Sequence, residues 1–387
     1  MSNKLSLPPN YLTALQSHFN IPFNSSPPKL LRSFAQTISA MSSGLKKNKQ
    51  RKEFVSSAYL DDKKYCDAYL LYYTTCNLLK MYYPLGELKK SGFFNEHSDL
   101  SVLDLGSGTG TLILSLSIWL AENFPSSRAQ FTAWDQSSVA LQTLEKFYKK
   151  FDWKFELETH QMDIENARLT DQRYDLITGG NVLNELTELG EEHFVSILER
   201  NLLPDGFVIL VEPALKNSSR RLLELRDRLL QSGWFIYAPC FTHGSCPALV
   251  NPEDWCHHDM PWERPKFIEI LDEMVGHIRK SLKFSYLILS RQDMHLSEFI
   301  APERNFTNQF RVVSDLFKEK GRRRVFLCND LGRNECLKNK RDNSEENKAF
   351  DDLELYDVVQ IDLLSEKKEG KKIEKESTVV KIEGGAN

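Results

Sequence analysis

The sequence predicts an α/β fold built on a doubly wound parallel sheet. Three observations predict it: strand and helix patterns alternate from Leu100 onward, a glycine-rich turn joins the first such strand to its helix, and an acidic residue stands after each of three successive strands. The alternation runs SVLDLG, a helix to Glu122, FTAWD, a helix from Val139 to Lys150, then FELETHQMD. It continues with YDLITGG, a helix through Glu192 to Leu203, GFVILVEP and a helix from Ser219 to Gln231. Short apolar runs between amphipathic stretches are the pattern of strands covered on both faces.

Ahead of this region, from about Asn10 to Gly92, apolar positions recur at helical spacing. Leu30, Leu31, Phe34, Ile38 and Met41 form one stripe, and Tyr69, Tyr72, Tyr73, Cys76 and Leu79 another. Residues 1–95 are thus expected to be a helical N-terminal region and 96–291 the α/β domain. Within the latter, an insertion at 237–265 is rich in Cys, His, Trp and Pro and lacks periodicity. A helix near Phe267 to Ser281 and the strand KFSYLILS then resume the sheet. The segments RRRVFLC, NECLKNK and YDVVQIDLL read as strands of a small C-terminal β region at 292–363, with a polar loop from Arg341 to Asp352. The charged, low-complexity residues 364–387 are expected to be a disordered tail.

A chain of 387 residues, 41% hydrophobic and 27% charged, is globular in composition. It contains no run of eighteen apolar residues and no readable secretory leader, so an intracellular protein without a membrane partner is expected. Seven cysteines in that setting read as free thiols or metal ligands. The net charge of −4 gives no hint of nucleic acid, but residues 1–52 hold no Asp or Glu and end in Lys46, Lys47, Lys49, Arg51 and Lys52. A second basic cluster comprises Lys320, Arg322, Arg323 and Arg324. Either could meet phosphate, although solvated charge is the ordinary reading of each alone. The acid-free start looks like a mitochondrial transit peptide, but early prolines (Pro8, Pro9, Pro22, Pro27, Pro28) and a first Arg only at Arg32 speak against one. A cytoplasmic monomer is the expectation, with the mitochondrial matrix as the alternative.

The strongest local signal is Asp104-Leu105-Gly106-Ser107-Gly108-Thr109-Gly110, between a strand and the helix LILSLSIWLAEN. Glycines on such a turn let the backbone approach a ligand, and the helix that follows presents unpaired N–H groups. A dinucleotide loop G-x-G-x-x-G would place its third glycine where Thr111 stands. Here the third is Gly110, the spacing of an S-adenosylmethionine loop. The predicted fold is therefore the class I S-adenosylmethionine-dependent methyltransferase (Rossmann-like) fold, with a helical N-terminal region, a Cys-rich insertion and a small C-terminal β region. Asp135 after the second strand would accept from ribose hydroxyls, and Asp163 after the third from the adenine amino group, with Met162 beside the ring. A lone Asp at such a place is commonly a turn or helix cap. Three in register make S-adenosylmethionine the first reading, ahead of NAD and of an empty pocket.

Cys240, Cys246 and Cys256 fall close together in APCFTHGSCPALVNPEDWCHHD. Pro239, Gly244, Pro247 and Pro252 make this an irregular loop with little core to bury a thiol. Converging thiolates suit zinc or an iron–sulfur cluster, and the residues leave the two level. The fourth ligand would come from elsewhere or from His243, His257 or His258.

With both constellations in view, the sequence resembles the methyltransferase-like proteins of mitochondrial small-ribosomal-subunit assembly (Rsm-type) and their bacterial relatives. The likeness rests on Asp104 to Gly110, on Cys-x5-Cys-Pro and Trp255-Cys256-His257 after the fifth strand, and on the late strand ending in Cys328; it covers roughly Tyr59 to Leu363. It implies a four-iron four-sulfur cluster on Cys240, Cys246, Cys256 and Cys328, zinc being the alternative. It also implies binding to the small ribosomal subunit and its rRNA. Cys336, Cys66 and Cys76 have no matching role.

No Asn-Pro-Pro-aromatic motif follows the fourth strand, where Gly179-Gly180-Asn181-Val182-Leu183-Asn184-Glu185 stands instead. By topology Asn181, Asn184, Glu185 and Glu212 are the polar groups that could face a transferred methyl, though each could equally be a cap or loop hydrogen-bonder. Three readings compete: an rRNA-directed methyltransferase-like factor, an assembly factor that holds S-adenosylmethionine without turning it over, and a small-molecule methyltransferase with a structural zinc.

Overall fold

A computed structural model describes residues 4–21, 28–46, 59–277, 279–300, 308–367 and 370–382. In chain order its strands are β1 (Leu5–Ser6), β2 (Asp99–Leu105), β3 (Arg128–Asp135), β4 (Glu156–Gln161), β5 (Tyr174–Gly180), β6 (Leu202–Pro213), β7 (Phe235–Ala238) and β8 (His258–Glu263). They continue with β9 (Ser281–Ser290), β10 (Gln309–Val312), β11 (Phe317–Glu319), β12 (Arg322–Asn329), β13 (Gly332–Asn339), β14 (Val358–Lys367) and β15 (Gly370–Ile382). The chain divides into two compact units, Met1–Tyr82 with Phe94–Val211 and Met260–Lys283, and Tyr83–Phe93 with Glu212–Asp259 and Phe284–Asn387. Each unit draws on three separate stretches of sequence. Among the described residues no helix is long and apolar enough to cross a membrane.

In the first unit β2 is central. It pairs in parallel with β3 and β5, β4 continues beyond β3, and β6 continues beyond β5, all parallel. The order β6-β5-β2-β3-β4 reverses direction between β2 and β5, so the carboxyl ends of those two strands form the crevice where open α/β sheets bind ligands. β2 and β5 are nearly all buried, as strands covered on both faces must be. The helix Thr111–Asn123 is apolar around most of its circumference, with every residue from Leu112 to Leu120 buried. Ser115 inside it keeps its hydroxyl satisfied by donating to the Leu78 carbonyl at 2.6 Å. Among the described residues before β2, helices predominate, and β1 pairs with β8 through Leu5 and Trp262.

In the second unit β7 lies antiparallel to β9. The later strands close into a barrel: β10 pairs with both β12 and β14, β12 with β13, β13 with β15, and β15 with β14. Phe310, Val325, Leu327, Cys336, Ile361, Ile373 and Val379 fill its interior. The turns Lys340–Asp342 and Lys348–Asp352 seal one end with Phe350. The expectation of a disordered tail at 364–387 is corrected here, because β14 runs to Lys367 and β15 spans Gly370–Ile382. Its lysine-rich composition hides Ile373, Ser377 and Val379, which recur on one face of a strand and are buried.

Candidate functional site

The loop after β2 is shaped by its own backbone and by the end of β3. Gly106 and Ser107 donate their N–H groups to the Trp134 carbonyl at 2.9 and 3.0 Å, which lays the loop across the sheet edge. Gly110 has φ +84°, and a Cβ there would stand 2.1 Å from Leu144 Cδ1, so only glycine fits. Asp135 clamps the turn: one carboxylate oxygen accepts from Gly108 N at 2.7 Å and the other from Ser137 N at 2.8 Å. Burial holds its pKa above the ordinary carboxylate value while those two N–H groups pull it down. Each oxygen keeps a further lone pair for a ligand hydroxyl.

Asp104 is fully buried, accepts from Thr178 Oγ1 at 2.6 Å, and is pushed up to about 6 by burial. Its carbonyl accepts from Ser107 Oγ at 2.9 Å, so it serves the loop from beneath. Met162 donates its N–H to the Asp135 carbonyl at 2.8 Å. Asp163 is exposed at the following turn, where its carboxylate accepts from Glu165 N at 3.0 Å and Asn166 Nδ2 at 2.7 Å.

At the end of β5, Asn181 has φ +59°, the left-handed region that non-glycine residues seldom occupy. Its side chain hydrogen-bonds Tyr69, and its N–H donates to the Val211 carbonyl at 2.9 Å. Asn184 and Glu185 sit on the short turn Leu183–Glu185. The N-terminal helical layer supplies residues the sequence reading missed. Tyr59 is buried within electrostatic reach of Glu185 and Asp135, and burial first and then Glu185 hold its phenol protonated. The Leu60 side chain stands 3.7 Å from where a Gly108 Cβ would lie, and the Leu60 carbonyl accepts from Ser137 Oγ at 2.8 Å. Thr74 links the layer to the loop through Thr109 at 2.7 Å and Thr111 at 3.1 Å. For Thr74 the available signal was the run of phenols and hydroxyls in AYLLYYTTCNLL, which does not reach Tyr59 or Leu60. Glu212 falls in the second unit, where it is fully buried.

The second constellation lies within the second unit. Cys240, Cys246, Cys256 and Cys328 line one cavity with about 40 Å3 of free volume, along with Arg226, Arg311, Arg333 and Tyr356. Burial first, then neighbouring thiols, push Cys246, Cys256 and Cys328 up to about 12. Cys246 feels Cys240 and Cys256, Cys256 feels Cys240 and Cys328, and Cys328 feels Cys240 and Cys246, so every pair among the four interacts. Tyr356 Oη lies 3.3 Å from Cys256 Sγ, and Thr242 Oγ1 lies 3.5 Å from Cys328 Sγ.

Arg226, its side chain wholly buried, holds the loop by donating to the carbonyls of Thr242 at 2.5 Å and Gly244 at 2.9 Å. It also ion-pairs with Asp227 at 2.5 Å and hydrogen-bonds the Cys240 thiol. A cationic group bonded to one of four neighbouring thiols fits an anionic centre bound by thiolates. Among the described residues no three His, Cys, Asp or Glu side chains are placed to hold a metal ion. None of the three histidines lines the cavity. His243 Nδ1 pairs with Asp330 at 2.7 Å, His257 stacks on Trp255, and His258 is buried against Tyr83 and Tyr356, its pKa lowered to about 3 by burial. Cys336 is buried in the barrel core, Cys66 donates to the Leu60 carbonyl at 2.8 Å, and Cys76 is buried in the first unit.

A parallel sheet in this order, with a glycine loop at its switch point and an acid clamping that loop from the next strand, defines a class I S-adenosylmethionine-dependent methyltransferase fold. The family model described as mitochondrial small ribosomal subunit Rsm22 matches residues 63–350, and the chain belongs to that family. Solved structures similar to the chain include the ribosomal protein L11 methylase of Lactobacillus delbrueckii subsp. bulgaricus, at 13% identity and TM-score 0.30, covering 53% of this chain and 79% of that one. Another is the magnesium protoporphyrin IX methyltransferase of Synechocystis PCC 6803, at 16% identity and TM-score 0.33, with 54% and 79% covered. TehB of Haemophilus influenzae matches at 16% identity and TM-score 0.33, with 53% and 62% covered. No curated protein matches the sequence.

Proposed function

We propose that the protein binds S-adenosylmethionine at the β2–β5 crevice and acts as a methyltransferase-like factor on the small ribosomal subunit and its rRNA. The observation that carries the binding step is the Asp135 clamp on Gly108 at the switch point of the sheet. The same carboxylate can accept ribose hydroxyls, the glycine loop lets the ligand approach the backbone, and Met162 and Asp163 follow at the next strand end. Asn181, held in a left-handed conformation and tied to Tyr69, is the polar group best supported for orienting a methyl acceptor. The family's description supports the subunit as partner and the mitochondrial matrix as compartment; the cytoplasmic expectation finds no support there.

For the cysteine cavity we propose a four-iron four-sulfur cluster on Cys240, Cys246, Cys256 and Cys328. Zinc needs all its thiolates to close on one point through bonds of about 2.3 Å, whereas a cluster spreads its ligands around a cube. What supports a shared centre is that all four thiols line one cavity and each interacts with the other three. When bound, such a cluster would supply a compact anionic centre beside the buried Arg226, which Asp227 also pairs.

Titration calorimetry tests the first site. Asp135→Ala should weaken S-adenosylmethionine binding roughly tenfold or more, since ribose hydroxyls would be buried without an acceptor; unchanged affinity removes the reading. Anaerobically purified protein should be brown, with broad visible absorption that Cys246→Ser diminishes. Colourless protein carrying stoichiometric zinc assigns the cavity to zinc, and colourless metal-free protein ends both assignments.

A further inference from the structure

Counted as first to fifth, β10, β12, β13, β14 and β15 form a closed barrel in the order 1-2-3-5-4-1. All neighbours are antiparallel except the third and fifth, which run parallel. This is the connectivity of an OB-fold. The segment between the third and fourth strands plugs the barrel: Phe350 is in its core, and the buried Lys338 Nζ reaches the Asn347 carbonyl at 3.1 Å and Asp351 at 2.9 Å. Barrels of this kind bind oligonucleotides on the outer face of strands two and three and on the loops beside it.

Here that outer face has the chemistry such a ligand needs. Arg322, Arg324 and Phe326 alternate outward along β12, opposite Asn339, Leu337 and Glu335 of β13. The connection between strands one and two carries β11, which extends the face: Phe317 stands opposite Arg324 and is 39% exposed. The Arg324 guanidinium lies over the Phe317 ring at 4.8 Å, and Arg333 over Phe326 at 5.0 Å. Glu319 pairs with Arg322 and Arg324, and Glu335 also pairs with Arg324. Lys320 is exposed at the hairpin turn, whereas Lys318 and Arg323 stand opposite each other one residue out of phase, on the other side of the sheet. Around the exposed Phe317 ring this face and its turn carry Lys320, Arg322 and Arg324 against Glu319 and Glu335, three basic residues to two acids.

We propose that the outer face of β12 and β13, with the β11 hairpin, binds single-stranded RNA. Lys320, Arg322 and Arg324 meet phosphates, which displace Glu319 and Glu335 from the two arginines, and Phe317 stacks on a base. The inference rests on the small-subunit reading only for the source of the RNA. The other basic cluster, Lys46 to Lys52, lies outside the residues whose side chains are described.

Fluorescence anisotropy of the full chain with a labelled oligouridylate twelve nucleotides long tests it. The wild-type protein should bind, and the logarithm of its affinity should fall linearly with the logarithm of salt. Lys320→Glu, Arg322→Glu and Arg324→Glu together should lower that slope by about 2. Phe317→Ala should weaken binding roughly tenfold with the slope unchanged, and Phe317→Trp should restore it. Thermal melting and S-adenosylmethionine calorimetry on the same variants establish that they fold. Three results overturn the proposal: no binding of oligouridylate at low salt, both variants binding as wild type, or an RNA duplex or polyglutamate bound as tightly as the single strand. A wild-type chain that binds the oligonucleotide through these residues yet sediments apart from small subunits upholds the barrel and sinks the subunit reading.

Discussion

Asp104 gives the first unit one predictable pH response. Its folded pKa of about 6 lies above the ordinary carboxylate range, so the folded chain holds that proton more tightly than the unfolded chain does. The stability this group contributes is complete below about pH 4 and is lost as pH rises through about 6, a change on the order of 1–3 kcal/mol. Asp104→Asn keeps the shape and removes the titration. Urea unfolding of the two proteins between pH 4 and 7 should therefore show the wild type losing ground that the variant keeps; parallel curves would clear Asp104 of the effect. Residues differ in how far their role can be read in advance. Gly106, Gly108, Gly110 and Asp135 stand out because a turn that needs glycine is visible in one dimension. Tyr59 and Leu60 do not, because what makes them part of the site is their packing on a loop far along the chain.

At the scale of elements, the helices and parallel strands were legible because apolar periodicity is local. β15 was not, since charged residues outnumber apolar ones along it and composition outweighed alternation. The distinction can be measured. Ile373 is fully buried in the barrel core, so Ile373→Ala should destabilise the second unit by about 2–5 kcal/mol, seen as faster hydrogen exchange in β13 and β14. A disordered segment would leave exchange there unchanged. The edge exposed by loss of β15 would also leave β13 and β14 with unpaired backbone groups, a route to aggregation.

At the scale of the whole molecule, the expected domains followed sequence order, whereas each compact unit is assembled from three stretches. No linear boundary could express that. Three of the four cavity thiols are sequence neighbours and declared themselves, while Cys328 reaches the same cavity only because β12 delivers it. Membership of the Rsm22 family leads to one expectation for the intact chain. On a gradient at gentle salt it should travel with immature small subunits, and raising salt from about 50 to 200 mM should release it, as phosphate-dominated binding requires. Protein found only at the top of the gradient would favour a small-molecule substrate.

β12 also acts as a fixed ruler. Arg322, Arg324, Phe326 and Cys328 share one side of it, and at about 3.3 Å per residue its two ends stand roughly 20 Å apart with no joint between them. Because side chains alternate, sliding the strand by one residue would turn Cys328 into the barrel and present Leu327 to the thiols, while Arg323 and Val325 replaced Arg324 and Phe326 outside. The phase of one strand is thereby shared by both ends. An insertion or deletion of one residue within it would spoil the cysteine cavity and the basic face together, whereas a change of two residues would preserve the phase and alter only the span.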